Sequence, residues 1–205
     1  FPIYSLPSEF VNRLTNQLPV FMLSAYAGPA VVGVYNLCVR MLGLPIQLIG
    51  GAISHVFQQK ATEDYNTTGN FNIIFVKTFK TLSLIALPGL LIIISFGSQL
   101  FAFVFGEEWR ESGVFAQILI FMFVLKLIIS PLSYAYYIKN KLREDMILHV
   151  YVLISMLIIF VIGFKTMDDY KSVILLYVIN YSLVYLIYLI RSYNFSKIKR
   201  INETK

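Results

Sequence analysis

Three basic side chains, Arg13, Arg40 and Lys126, stand inside runs that are otherwise almost wholly apolar. Arg40 interrupts AVVGVYNLCVRMLGLPIQLIGGAISHVF, and Lys126 interrupts QILIFMFVLKLIISPLSYA. A cation at the centre of a membrane helix costs about 3 kcal/mol on insertion scales, so such residues face a cavity or a partner rather than lipid. Arg40 and Lys126 have no acidic neighbour on their own helices, whereas Glu9 lies one turn before Arg13 and offers it a local ion pair. Cations without counter-ions around a common hollow attract an anion. A diphosphate fits, because a guanidinium binds it bidentately and an ammonium as a point charge.

The elements that must carry these residues are membrane helices. The chain is 205 residues long, 58% hydrophobic and only 14% charged, with a mean hydropathy of +0.71. That is too little polar surface to cover a soluble domain. The hydropathy predicts an all-α, polytopic membrane protein, a single bundle of six helices over about 8–27, 30–57, 75–105, 112–138, 143–164 and 170–193. A basic tail follows at 194–205. Each run has roughly the 20 residues needed to cross about 30 Å of hydrocarbon. Polar stretches EDYNTTGN (63–70), GEEWRESG (106–113), KNKLRED (139–145) and KTMDDYK (165–171) separate them, and Pro19, Pro45, Pro88 and Pro131 should bend them. The opening FPIYSLPSEF has no initiator methionine, which is read as an internal start within a longer polypeptide.

Helical periodicity gathers the polar residues onto faces. On the second predicted helix Gly33, Asn36, Arg40, Gly43, Gln47, Gly50 and Ser54 recur at steps of three and four. On the fourth, Lys126, Ser130, Ser133 and Tyr137 do so. On the first, Arg13 and Asn16 share a face with Glu9, and Gln17 lies at its edge. Counted at 1.5 Å per residue, Arg40 lies roughly 15 Å, and Lys126 and Arg13 roughly 21 Å, from the same membrane surface. Three cations thus fall near one level at mid-membrane. Asn16, Gln17, Asn36 and Gln47 would line the hollow, and Tyr134 and Tyr137 are candidate sugar contacts. A stripe of small residues is equally a helix-packing face. Tyr177, Tyr181, Tyr185 and Tyr188 form a further stripe that reads as packing.

The Lys and Arg distribution predicts both ends of the segment on the cytoplasmic side. Lys60, Lys77, Lys80, Lys139, Lys141, Arg143, Arg191, Lys197, Lys199, Arg200 and Lys205 then lie inside, against Arg110, Lys165 and Lys171 outside. The net charge of +6 is therefore a topology signal and implies no nucleic acid partner. The acids read as loop or terminal residues, with no inward-facing pair and none at mid-membrane depth. His55 and His149 have no ligand-spaced companions, so no metal is expected. No P-loop, dinucleotide fingerprint, HExxH or GxSxG is present, so neither a cofactor nor an enzymatic activity is expected.

The stretch SLPSEFVNRLTNQLPVFMLSAYAGPAVVGVYNLCVRMLGLPIQLIGGAISHVFQQKA resembles the polysaccharide biosynthesis proteins, the O-antigen and lipid-linked oligosaccharide flippases of the multidrug, oligosaccharidyl-lipid and polysaccharide (MOP) exporter superfamily. FGEEWRESGVFAQIL and SPLS continue the resemblance to about residue 135. It implies one half of a MOP/MATE-like transporter, the C-terminal six-helix bundle, packed beside an N-terminal bundle of the same polypeptide in the bacterial inner membrane. It implies transport of an undecaprenyl-diphosphate-linked oligosaccharide to the outer leaflet by alternating access. Arg40 matches the family's basic position, and Asn16 with Gln17 its "NQ". Lys126 has no such match and rests on depth and face alone.

Two other readings remain. A drug or cation antiporter of the same superfamily would want embedded acids. A membrane-embedded glycan polymerase or ligase would want a large outer loop, and the longest one expected here is about eight residues.

Overall fold

The structure, a computed structural model, describes residues 2–167 and 169–197. Helix α1 spans Pro2–Tyr26. The AGP turn ends it: Gly28 takes φ 87°, and Pro29, whose missing N–H is no loss in a first turn, opens α2, Pro29–Pro45. A π-helical segment, Ile46–Gly50, follows Pro45 directly. It runs without a break into α3, Gly51–Thr68. The resulting 40-residue rod, Pro29–Thr68, is roughly 60 Å long, about twice the hydrocarbon thickness. The predicted loop at 63–70 is therefore helix as far as Thr68. The polar run QQKATEDYNTT continues the rod, and the stop is Gly69 in the left-handed region at φ 79°.

Helix α4 spans Asn72–Phe105. Gly106 and a 3-10 turn at Glu107–Trp109 lead into α5, Arg110–Leu132. The fourth predicted helix, 112–138, is interrupted. After Pro131 the chain turns at Ser133 and Tyr134 and resumes as the short α6, Ala135–Ile138. Helix α7 spans Leu142–Thr166 and α8 spans Tyr170–Lys197. The helix thus takes in 194–197 of the expected tail, and 198–205 lie outside the described residues. No strand occurs among the described residues.

Among the described residues five helical stretches are long and apolar enough to cross a membrane: Pro29–Thr68, Asn72–Phe105, Glu107–Ile138, Leu142–Thr166 and Tyr170–Lys197. The sixth, α1, is long enough but carries Glu9, Asn12, Arg13, Asn16 and Gln17 along its middle. The bundle is apolar on its outside as well as inside. Leu84, Leu91 and Phe96 on α4, Ile154 and Ile158 on α7, and Leu183 and Ile190 on α8 are all exposed. A surface of that kind is at ease only in lipid.

Helix α5 is the axis. It packs against α2, α4 and α8, while α1 packs against α7 and α2. Phe115, Leu119, Ile129 and Leu132 are fully buried on it. Its closest neighbour is α4, because two glycines face each other. A Cβ added at Gly113 would stand 2.3 Å from the Gly97 carbonyl oxygen. Small residues let helices approach in a solvent that supplies no hydrophobic force between them. On the far side Ser112 Oγ donates to the Val34 carbonyl at 2.9 Å, tying α5 to α2.

Candidate functional site

Lys126 projects from α5 toward α1, where its Nζ donates to Asn16 Oδ1 at 3.0 Å. Asn16 is itself held: its Nδ2 donates to the Asn12 carbonyl at 2.8 Å and to Asn12 Oδ1 at 3.2 Å. With both amide hydrogens directed down α1, the amide oxygen is left for the ammonium. Beside this contact lies a cavity of about 150 Å³. Asn12, Lys126, Ser130 and Ser133 line it together with Asp145 and His149 of α7 and Tyr181, Tyr185 and Tyr188 of α8.

Asp145 stands at a helix end, as expected of the acids, yet this single acid faces inward. Helix α7 begins at Leu142, so Asp145 stands in its first turn, and it is only 7% exposed. Ser8 Oγ donates to Oδ2 at 3.0 Å, and the Tyr188 hydroxyl donates to Oδ1 at 3.0 Å. His149, one turn further along α7, brings Nε2 to 3.7 Å from Oδ1. The unpaired N–H groups and the positive end of the helix dipole also favour a carboxylate at this position. The sequence run KNKLRED reads as a loop. The signal it hides is the spacing Asp145, Val152, Met156, Phe160, Gly163, which is the buried face of α7.

The other expected site residues are placed as follows. Arg13 pairs with Glu9 at 2.7 Å, and its side chain is 77% exposed. Gln17, Asn36 and Arg40 are exposed, and Arg40 makes no hydrogen bond or ion pair among the described residues. Gln47 lines a second cavity, of about 190 Å³, with Ser54, Ser130 and Pro131. Ser130 therefore borders both cavities and joins the α2 stripe to Lys126. Tyr134 and Tyr137 stack on each other with ring centroids 5.3 Å apart, outside both linings.

The three cations form a ladder rather than one tier. The Ser112–Val34 hydrogen bond and the close approach of Leu127 to Gly50 set the register of α5 against the Pro29–Thr68 rod. They put Arg40 a little over two turns, roughly 12–14 Å, from Lys126 along the axis. Arg13, three residues from Asn16, lies about one turn to the other side of Lys126. Among the described residues no group of three His, Cys, Asp or Glu side chains is placed to hold a metal.

The sequence profile of the family described as "Polysaccharide biosynthesis protein" matches residues 1–114, more than half of the chain. The chain belongs to the polysaccharide biosynthesis protein family. One curated relative is the teichuronic acid biosynthesis protein TuaB of Bacillus subtilis (strain 168), 23% identical over 131 residues. The match takes in 64% of this chain but only 27% of that protein's length. No solved structure matches significantly. The family and the five apolar spans together make this a multi-pass membrane protein of polysaccharide biosynthesis.

Proposed function

We propose that this bundle is one half of a carrier that moves a lipid-linked, diphosphate-bearing glycan intermediate from the cytoplasmic to the outer leaflet. The observation that carries the reading is Lys126 on the wall of a polar cavity, with Asn16 as its partner and no carboxylate in hydrogen-bonding contact among the described residues. Arg13, Gln17, Asn36 and Arg40 are exposed around it, on helices that expose Glu9, Asn16 and Ser24 alongside apolar residues such as Phe10, Phe21 and Leu44. In a bilayer such residues need water or protein against them. A second bundle of the same polypeptide, facing this one across a hydrated hollow, would supply both. The ladder of cations then offsets the charge of the diphosphate while the prenyl chain stays in lipid, which lowers the cost of moving that charge through a low-dielectric slab. Rocking of the two bundles would expose the hollow to each side in turn.

The carrier would sit in the bacterial inner membrane with both ends of this segment cytoplasmic. The family supports a role in polysaccharide synthesis, and transport rather than catalysis fits the absence of a catalytic motif in the sequence. The buried Asp145 also supplies an embedded acid of the kind a cation antiporter uses. A cationic drug in the same cavity would, however, meet Lys126.

The test is complementation of a strain lacking its lipid-linked glycan carrier, using the full-length protein. Lys126→Ala and Arg40→Ala should insert at wild-type levels, yet surface glycan should fall at least tenfold and the lipid-linked intermediate should accumulate. Wild-type export by both variants would remove the reading.

A further inference from the structure

The mechanism proposed above uses Lys126 but leaves the buried Asp145, its two hydroxyl donors and His149 without a task. A hydrogen-bonded carboxylate beside an imidazole, inside a membrane bundle and on the wall of the same cavity, is a functional feature by default. We propose that Asp145, His149 and Tyr188 form a proton-binding site whose occupancy sets the anion affinity of the Lys126 cavity. This rests on the anion-carrier reading.

The arrangement fits a proton better than a metal cation. A hard cation needs several oxygen lone pairs directed at it. Here the hydroxyls of Ser8 and Tyr188 each take a lone pair of the carboxylate, one on Oδ2 and one on Oδ1. The remaining nitrogen groups on the wall are the His149 ring, the Asn12 amide and the Lys126 ammonium, and the last repels a cation. Imidazole is the side chain whose charge changes in the physiological range. His149 has a carboxylate oxygen at 3.7 Å to receive its charged form and a cavity to deliver the proton.

Position links this site to Lys126. Ser8, on Asp145, and Asn16, on Lys126, are eight residues apart on α1, roughly 12 Å. His149 lies one turn from Asp145 toward the middle of α7, which puts its ring between the two charges. With His149 neutral, Lys126 and Asp145 leave the cavity wall with no net charge. With His149 protonated the wall carries one positive charge, and an anion binds more tightly. By linkage a bound anion then tightens the proton by the same factor.

Other titratable groups nearby are Glu9 of α1, Tyr136 and Tyr137 of α6, Glu144 of α7, and Tyr181 and Tyr185 of α8. Arg191 of α8 is engaged by Glu144. None of them supplies a second imidazole.

The experiment uses purified full-length protein in detergent, with farnesyl diphosphate as a soluble prenyl diphosphate probe read by calorimetry. The ratio of wild-type to His149→Gln affinity should rise at least fivefold between pH 8 and pH 6. A ratio that stays constant with pH overturns the proposal. If the probe binds to no variant, the anion-carrier reading fails, and the proton site is judged alone by histidine NMR. The His149 signal, identified by its loss in His149→Gln, should change between pH 5 and pH 8. Asp145→Asn should move that transition by a pH unit or more, a tenfold change in proton affinity. Should Asp145→Asn fail to fold, Tyr188→Phe must move it as well. A transition that neither variant moves rules the site out.

Discussion

Lys126 and Asn16, 110 positions apart, meet at 3.0 Å between Nζ and Oδ1. The contact joins the largely buried α5 to α1, whose middle carries Glu9, Asn12, Arg13, Asn16 and Gln17. It is an ammonium answered by a neutral amide. The amide orients the charge without cancelling it, so the cation stays available to a guest.

That distinction can be tested at Asn16. Replacing it with Asp would give Lys126 a full counter-ion. If the lysine only holds helices together, Asn16→Asp should be harmless or stabilising. We expect instead normal expression and thermal stability with glycan export down at least tenfold, because the new carboxylate competes with the substrate's phosphates. Asn16→Leu should lower export less, about tenfold at most, since it removes one charge-assisted hydrogen bond and leaves the charge.

The α4–α5 contact predicts a sharp asymmetry among glycines. A methyl group at Gly113 would meet the Gly97 carbonyl oxygen at 2.3 Å and the Ser98 Cα at 2.5 Å, both backbone atoms with nowhere to go. Gly113→Ala should therefore cost about 1–3 kcal/mol or more through forced separation of the helices. Gly89→Ala, with nothing within 4 Å, should be neutral. Thermal unfolding of the two variants in detergent compares them directly.

The carboxylate of Asp145 makes a third case. Tyr188→Phe removes one of its two hydroxyl donors without changing the packed ring, and Ser8→Ala removes the other. Each should lower stability by about 1–3 kcal/mol, because a buried acceptor loses its partner. Thr67→Ala, which loses only exposed bonds to the Glu63 and Asp64 carbonyls, should have no measurable effect. Unfolding midpoints in detergent would separate the three.

The legible parts of this molecule were those where lipid makes a residue expensive. Arg40 and Lys126 stand out in the sequence because a charge in an apolar run demands a reason. The steps of three and four put Asn16 and Lys126 each on a polar face of its helix, and the two side chains do meet. Asp145 and His149 were hidden by the opposite effect. KNKLRED is polar enough to read as a connector although it overlaps the predicted helix 143–164, and only the packing of α7 shows that its last residue points inward. Helix ends were blurred for the same reason. QQKATEDYNTT is polar and still helical, since nothing in it breaks a helix before Gly69. The staggering of the cations depends on how neighbouring helices register against one another, which no single-helix periodicity contains.

The five residues Ile46–Gly50, wound as a π turn, have a consequence for the rest of the rod. A π turn amounts to one surplus residue in an α-helix, and one residue is worth about 100° of rotation. Deleting Leu48 would let the stretch relax into ordinary α-helix while everything after it kept its heading. If the same residues wound as ordinary α-helix with Leu48 retained, Phe57, now 1% exposed against Phe71 and Phe75, would be carried out of its aromatic nest, and a neighbour such as Val56 or Gln58 would be carried in. The wide turn thus takes up a single extra link, and it keeps Arg40 on one side of it and Phe57 on the other in phase.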